Sequence, residues 1–275
     1  MMSQPDYLAI KISGEHKTTN RKNSIFLSII KSTIMNKTQS LEQMQELKLA
    51  GMAASYRSQL ELPVNQQLEG HELLAYLLQA EKLHRGNDRM ETLLKTARFR
   101  FNVTSQEIEC GPERNLSKAS WSSLLEGNYI RAGENILITG PTGCGKSFAA
   151  CALGHQACLM GIKTRYFNMN RLIETIIMAK TEGSYMKLLN QLEKIPVIIL
   201  DDFGIHPINK TLKLALLQIM EDRYAKKSLI ITAQMPVSAW HDYIDEPTLA
   251  DAIMDRVTAK CHRIELKGDS RRKKK

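Results

Sequence analysis

The chain has 275 residues, 43% of them hydrophobic and 24% charged, which suits one large α/β domain with a smaller appendage and leaves a sizeable core. Lys and Arg number 38 against 29 Asp and Glu, a net charge of +9 that favours a polyanionic partner, although the terminal run Arg271-Arg272-Lys273-Lys274-Lys275 also reads as a solubilising tail. The five cysteines are odd in number and contain no C-x-x-C pair, which argues against a disulfide framework or zinc site and fits a reducing cytoplasm.

In chain order, residues 1–34 carry no sustained period, and the apolar run Ile25–Ile30 stops at Lys31, too short to span a bilayer. No signal-peptide cleavage pattern follows it, so no membrane role is expected. A second methionine, Met35, precedes a helix entry at Thr38-Gln39-Ser40, and the expected functional start is Met35, with 1–34 a disordered extension. Residues 35–101 read as an N-terminal helical domain. Leu41, Met44, Leu47, Met52, Tyr56 and Leu60 form one helical stripe that Pro63 ends. Leu73, Leu74, Leu77 and Leu78 form a second, continued by Met90, Leu93 and Leu94. Its later half carries His84, Arg85, Arg89, Lys95, Arg98 and Arg100, either a solvated face or one that meets phosphates.

Residues 102–130 read as a linker broken at Gly111-Pro112, with a short helix capped by Ser117 and anchored in the core by Trp121. From 131 to 270 the pattern alternates strand and helix. Strands are expected at 135–139, 163–167, 195–200 (a continuous apolar run), 229–232 and 262–266, separated by helical stripes. That is a doubly wound, five-stranded parallel sheet of the P-loop NTPase kind. Residues 271–275 remain as the basic tail.

The most informative stretch is Gly140-Pro141-Thr142-Gly143-Cys144-Gly145-Lys146-Ser147, a G-x-x-x-x-G-K-S run between the first strand and a helix opening at Phe148. The glycines allow a tight turn whose amides converge, and the helix N-terminus adds partial positive charge, so a nucleotide triphosphate is the expected ligand. Lys146 is expected to reach the β- and γ-phosphates, and the Ser147 hydroxyl to ligate Mg²⁺ beside ATP. Cys144 reads as an exposed thiol open to alkylation, without a catalytic base.

The run Val197-Ile198-Ile199-Leu200-Asp201-Asp202 ends a strand in two carboxylates. Ligands of open α/β sheets lie beyond the carboxyl ends of the strands. Asp201 is therefore the expected Mg²⁺ carboxylate, and Asp202 the group that orients or deprotonates the attacking water. Thr232 and Gln234 close the next strand, where a polar side chain could sense the γ-phosphate, with a plain strand-end cap as the alternative. Arg256 is the candidate for stabilising transition-state charge in a neighbouring subunit, with Arg223 as runner-up. A salt bridge to Asp255 or Glu221 is the alternative for Arg256.

These motifs together resemble the IstB-like ATP-binding proteins, relatives of the helicase loader DnaC within the AAA+ ATPases. The resemblance rests on G-E-N-I-L-I-T-G-P-T-G-C-G-K-S at 133–147, V-I-I-L-D-D-F-G at 197–204, E-D-R-Y at 221–224, P-T-L-A-D-A-I-M-D-R at 247–256 and H-R-I-E-L-K-G at 262–268. L-K-L-A-G-M-A at 47–53 and A-R-F-R-F at 97–101 extend it into the helical region. It implies a helper of insertion-sequence transposition, which assembles with ATP as a homo-oligomer on double-stranded DNA and presents that DNA to its transposase. The short stretch after Leu266 leaves no assignable C-terminal helical lid or sensor-two arginine, so cover for the nucleotide is expected from the N-terminal region or a neighbour. The alternatives are a DnaC-type replicative helicase loader and a small-molecule kinase, for which no acceptor pocket or lid segment is evident.

Overall fold

The structure, a computed structural model, describes residues 37–270. The extension expected at 1–34 and the basic tail at 271–275 lie outside the described residues. The chain forms two compact units, one ending at Gly86 and the other running from Asn87.

The first unit contains α1 (Lys37–Glu46), α2 (Ala50–Glu61) and most of α3 (Gly70–Ala97). The single stripe expected over Leu41–Leu60 is broken between α1 and α2. Lys48 adopts φ 57, the Lys48 amide donates to Gln45 O at 2.9 Å and the Leu49 amide to Met44 O at 2.7 Å. That is a Schellman ending with lysine where glycine is usual, so the sequence carries no punctuation there. Gly51 sits against the third helix so closely that a Cβ would lie 2.6 Å from His84 Cβ and 2.7 Å from Ala80 O. The Glu81 carboxylate accepts from the Met52 amide at 3.0 Å and from Arg85 Nε at 2.6 Å, tying the helices together.

The second unit is built on β1 (Asn135–Thr139), β2 (Thr164–Asn168), β3 (Val197–Phe203), β4 (Ser228–Ala233) and β5 (Cys261–Glu265). The strands run in the order β2-β3-β4-β1-β5 with every pairing parallel, the expected doubly wound sheet. Its helices are α4 (Lys118–Leu125), α5 (Asn128–Ala132), α6 (Lys146–Leu159), α7 (Met169–Thr181), α8 (Tyr185–Glu193), α9 (Lys210–Arg223), α10 (Trp240–Ile244) and α11 (Pro247–Thr258).

Side chains alternate across the sheet, so each strand feeds two cores. Ile136, Ile138, Val197, Ile199 and Ile230 pack with α6 and Trp121 on one face. Leu137, Ile198, Leu200 and Ile231 pack with α7, α8, α9 and α11 on the other. Each fully buried aliphatic side chain is worth roughly 1.5–3 kcal/mol, so the strand ends that carry chemistry are held by a stiff support. Ser117 caps α4 by accepting from the Ser120 amide at 3.0 Å, and Asn168 caps α7 by accepting from the Asn170 amide at 3.2 Å. Trp121 is buried, and its indole N–H donates to Ser105 O at 3.2 Å.

β3 runs further than the expected 195–200 and includes both acids. Its register to β4 shifts between Leu200 and Phe203, a bulge in which Asp202 takes φ 65. Bulges re-aim side chains, and aspartate tolerates the left-handed region better than most residues. The bulge turns consecutive acids to different neighbours.

Candidate nucleotide-binding site

The carboxyl ends of β1, β3 and β4 meet around the glycine-rich loop. Gly140 has φ 145, and a Cβ there would lie 2.2 Å from Leu266 O, because the chain leaving β5 crosses directly over it. The Leu266 amide donates to Thr139 O at 2.8 Å and locks that crossing. Gly143 and Gly145 also take positive φ, as the turn requires. Lys146, almost fully buried, curls back so that its ammonium donates to Gly140 O and Pro141 O, both at 2.9 Å. Cys144 is completely buried, which corrects the expectation of an exposed thiol. The close approach of Gly140 to Cys144 Sγ explains it, since the thiol fills the inside of the turn.

Beside the loop lies a cavity of about 500 Å³. Thr142, Lys146, Ser147, Asp202 and Gln234 give it a polar lining, while Phe101, Ile108, Leu116, Phe148 and Leu266 give it apolar walls. A site with convergent donors and apolar surfaces suits a phosphorylated ligand that carries a planar base. Phe101 and Phe148 meet at 5.9 Å between ring centroids. The segment before β1 is stitched across the loop: Arg114 Nη2 donates to Cys144 O, the Lys267 amide to Arg114 O at 3.2 Å, and Asn115 Nδ2 to Glu265 O at 2.9 Å.

The acids form one network. Asp201 is fully buried and accepts from the Tyr166 hydroxyl at 2.6 Å on Oδ2 and from the Thr232 hydroxyl at 2.5 Å on Oδ1. Burial and then Asp201 itself push the Tyr166 phenol far up, so it stays a proton donor to that carboxylate. The Thr232 oxygen in turn accepts from the Asp202 amide at 3.0 Å. Asp202 receives Asn168 Nδ2 at 3.1 Å and Arg100 Nη1 at 3.1 Å, both on Oδ2, and Oδ1 makes no hydrogen bond to the described residues. Arg100 also reaches Asp201 Oδ2 at 3.4 Å. Burial lowers the Arg100 pKa, but the facing Tyr166, Asp201 and Asp202 outweigh that and hold it above its ordinary value.

The donor set tests whether magnesium fits. Ser147 lines the cavity and offers a hard oxygen ligand of the kind Mg²⁺ prefers, whereas Asp201, on β3 beyond β4, is fully buried with both oxygens accepting hydroxyl hydrogen bonds. Among the described residues no cluster of three or more His, Cys, Asp or Glu could hold a metal ion. Ser147 fits magnesium carried with a triphosphate, and Asp201 would have to give up a hydroxyl partner to join it.

The structure separates the two strand-end residues considered for sensing. Thr232 is fully buried and engaged with both acids, not the cavity, which corrects its assignment as a direct nucleotide contact. Gln234 lines the cavity and accepts from the Thr142 hydroxyl at 2.8 Å. Arg256 lies elsewhere. Its carbonyl accepts from Asn135 Nδ2 at 3.3 Å, at the start of β1, while the loop follows the end of that strand. At about 3.3 Å per residue the strand puts roughly 13 Å between those ends. The Arg256 side chain pairs with Glu221 and, at 3.7 Å, with Asp255, the salt bridges considered as its alternative. The runner-up Arg223 is ruled out: it is 1% exposed and donates to the carbonyls of Leu192, Ile195, Pro196 and Ser228. Burial lowers its pKa to about 10, as for a structural guanidinium. Tyr166, Arg114 and Phe101 were not singled out as site residues from sequence; Arg100 stood among the cations read as a solvated face or one that meets phosphates, and the structure turns it to the two acids.

A family model described as "IstB-like ATP binding protein" matches residues 42–275. The chain belongs to this family. It is 38% identical over 234 residues, 85% of its own length and 96% of the relative's, to the insertion sequence ATP-binding protein y4pL of Sinorhizobium fredii. It is 37% identical over 200 residues, 72% and 87% of the two lengths, to an ATP-binding protein of insertion sequence IS1162 from Pseudomonas fluorescens. Among solved structures, the DnaC helicase loader matches with a TM-score of 0.52 at 20% identity, over 61% of this chain and 98% of that one. AMPPCP-bound DnaA from Aquifex aeolicus matches with a TM-score of 0.53 at 17% identity, over 62% and 52%. The structural likenesses show the P-loop fold, and the family shows that this IstB-like chain binds ATP. Among the described residues, no helix is long and apolar enough to cross a membrane.

Proposed function

We propose that this IstB-like chain uses ATP to assemble as a homo-oligomer on double-stranded DNA and to deliver that DNA to the transposase of an insertion sequence. The observation that carries the reading is the family itself, whose close relatives are named as insertion sequence ATP-binding proteins. The net charge of +9 supports a polyanionic partner. The DnaC-type loader alternative shares the fold, whereas the sequence family favours transposition.

In this reading residues 35–101 serve as a helical domain and 131–270 as the ATPase. The amides of Gly140, Pro141, Thr142, Gly143, Cys144 and Gly145 and the first turn at Phe148 cradle the phosphates. Lys146 leaves its two loop carbonyls for the β- and γ-phosphates. Ser147 and Asp201 would hold Mg²⁺, which when bound would neutralise charge on the phosphate oxygens. Asp202 uses its unshared Oδ1 to orient and deprotonate water, and it does so once Arg100 yields Oδ2. Thr232 and Tyr166 fix Asp201, and Thr232 also fixes the Asp202 backbone. Gln234 meets the γ-phosphate side of the cavity. Arg256, some 13 Å from its own loop by the strand arithmetic, serves a neighbour's γ-phosphate in a head-to-tail assembly, exchanging Glu221 for it.

Electron microscopy of the protein with ATP and duplex DNA tests the reading. Rings or spirals on the duplex that need both components are expected. Isolated monomers under all conditions would overturn it.

A further inference from the structure

A second cavity, of about 1060 Å³, opens at the free edge of β2, which pairs only with β3. Arg98, Arg100, Lys163, Arg165, Arg171 and Lys194 line it, and Asp202 is the sole carboxylate in its wall. Arg100 is already committed to the two acids. The other five form no ion pair with a carboxylate of the described residues. A surface meant only for solvation disperses like charges among acids, and this one gathers them in a hollow.

Each cation is aimed there by its own local structure. Phe99 packs so tightly that a Cβ on Gly154 would lie 2.6 Å from its ring. That contact anchors the segment on which Arg98, held at φ 57, and Arg100 reach the cavity. Lys163 immediately precedes β2 and Arg165 is its second residue, two positions apart at the edge of the sheet. Arg165 is fixed further: Nη1 donates to Thr96 O at 2.6 Å and its guanidinium lies 5.8 Å from the Phe167 ring centroid. Arg171 comes from the first turn of α7, and Lys194 from the end of α8. Burial, and then the charge of Arg98, lower the Arg165 pKa, the mark of cations crowded without an anion.

We propose that this cavity is a docking site for the phosphodiester backbone of duplex DNA. The inference rests on the DNA-binding reading above and locates that contact at the β2 edge, apart from the phosphate loop. Planar guanidinium forks suit phosphate oxygens, and charges from four separate chain segments spread over a hollow this large suit a backbone better than one small anion. Contacts of this kind position DNA without reading its sequence.

The test uses the full chain carrying Arg98→Gln, Lys163→Gln and Arg171→Gln, with fluorescence anisotropy of a labelled duplex across a salt series. Each neutralised phosphate contact contributes roughly 0.9 to the slope of log affinity against log salt, so the triple variant is expected to flatten the slope by about 2–3. Its ATP affinity and melting temperature should match the parent. Each single substitution should flatten the slope by about 0.9, and Arg171→Lys should restore it. If the parent binds duplex but the variants keep its slope and affinity, the docking site is overturned and the DNA-binding reading stands. Failure of the parent to bind any duplex overturns both. Retained duplex binding with loss of a second, weaker site for inorganic triphosphate would identify a small-anion site and also overturn the proposal.

Discussion

Thr232→Val replaces one buried hydroxyl by a methyl group of nearly the same size and so isolates its two hydrogen bonds. The hydroxyl donates to Asp201 Oδ1 at 2.5 Å and accepts from the Asp202 amide at 3.0 Å. The first is a bond to a buried charge, worth about 1.5–3 kcal/mol, and the second leaves an amide short of an acceptor at about 1 kcal/mol. Together the loss is about 2.5–4 kcal/mol of unfolding free energy, measurable by urea titration with ATP absent. The amide belongs to a residue at φ 65, so its release also lets Asp202 relax out of the bulge. Turnover should then fall at least tenfold while the dissociation constant for ATP stays within about twofold of the parent, as expected of a positioning residue rather than a phosphate ligand. Unchanged stability would refute the network. Loss of ATP affinity with normal stability would return Thr232 to the nucleotide.

Other expectations follow from the same geometry. Asp202→Asn should bind ATP normally and hydrolyse it at least a hundredfold more slowly, and near-parental turnover in a phosphate-release assay would move the water-orienting role elsewhere. Arg100→Gln removes a cation that contacts Asp201, the carboxylate proposed for Mg²⁺, so half-maximal hydrolysis should need less Mg²⁺; an unchanged or higher requirement would show that the Arg100 contact does not compete. Arg256→Ala should lose hydrolysis as a pure assembly yet recover part of it when mixed with Asp202→Asn, because each supplies what the other lacks. No recovery in any ratio would count against a role in trans. Burial pushes the Cys151 thiol up to about 11, so at pH 8 it stays protonated, and Cys144 and Cys158 are equally buried. Iodoacetamide should label Cys110 and Cys261 first, and early labelling of Cys144 would contradict the closed turn.

The phosphate loop and acid pair were legible because each is a local signal: glycines at fixed spacing, and an apolar strand ending in carboxylates. The central strands β1, β3 and β4 were legible for the same reason, since a strand buried on both faces writes itself as a largely apolar run. What the sequence hid is what depends on distant partners. Arg100 meets Asp202 across 102 residues and Arg114 meets Cys144 across 30, so neither leaves a local pattern. Thr232 and Gln234 looked interchangeable until strand geometry turned one into the acid network and the other into the cavity. The break at Lys48 was hidden because a lysine adopts the conformation that glycine usually announces.

The most direct check is a calorimetric titration of the folded chain with Mg-ATP, run in parallel on Lys146→Ala. The parent should saturate at one nucleotide per chain, and the variant should lose at least tenfold in affinity, because the ammonium that now rests on Gly140 O and Pro141 O is the loop's only side-chain cation. A parent that takes up no nucleotide, or a variant that binds it equally well, would contradict the assignment of this loop as the seat of the triphosphate.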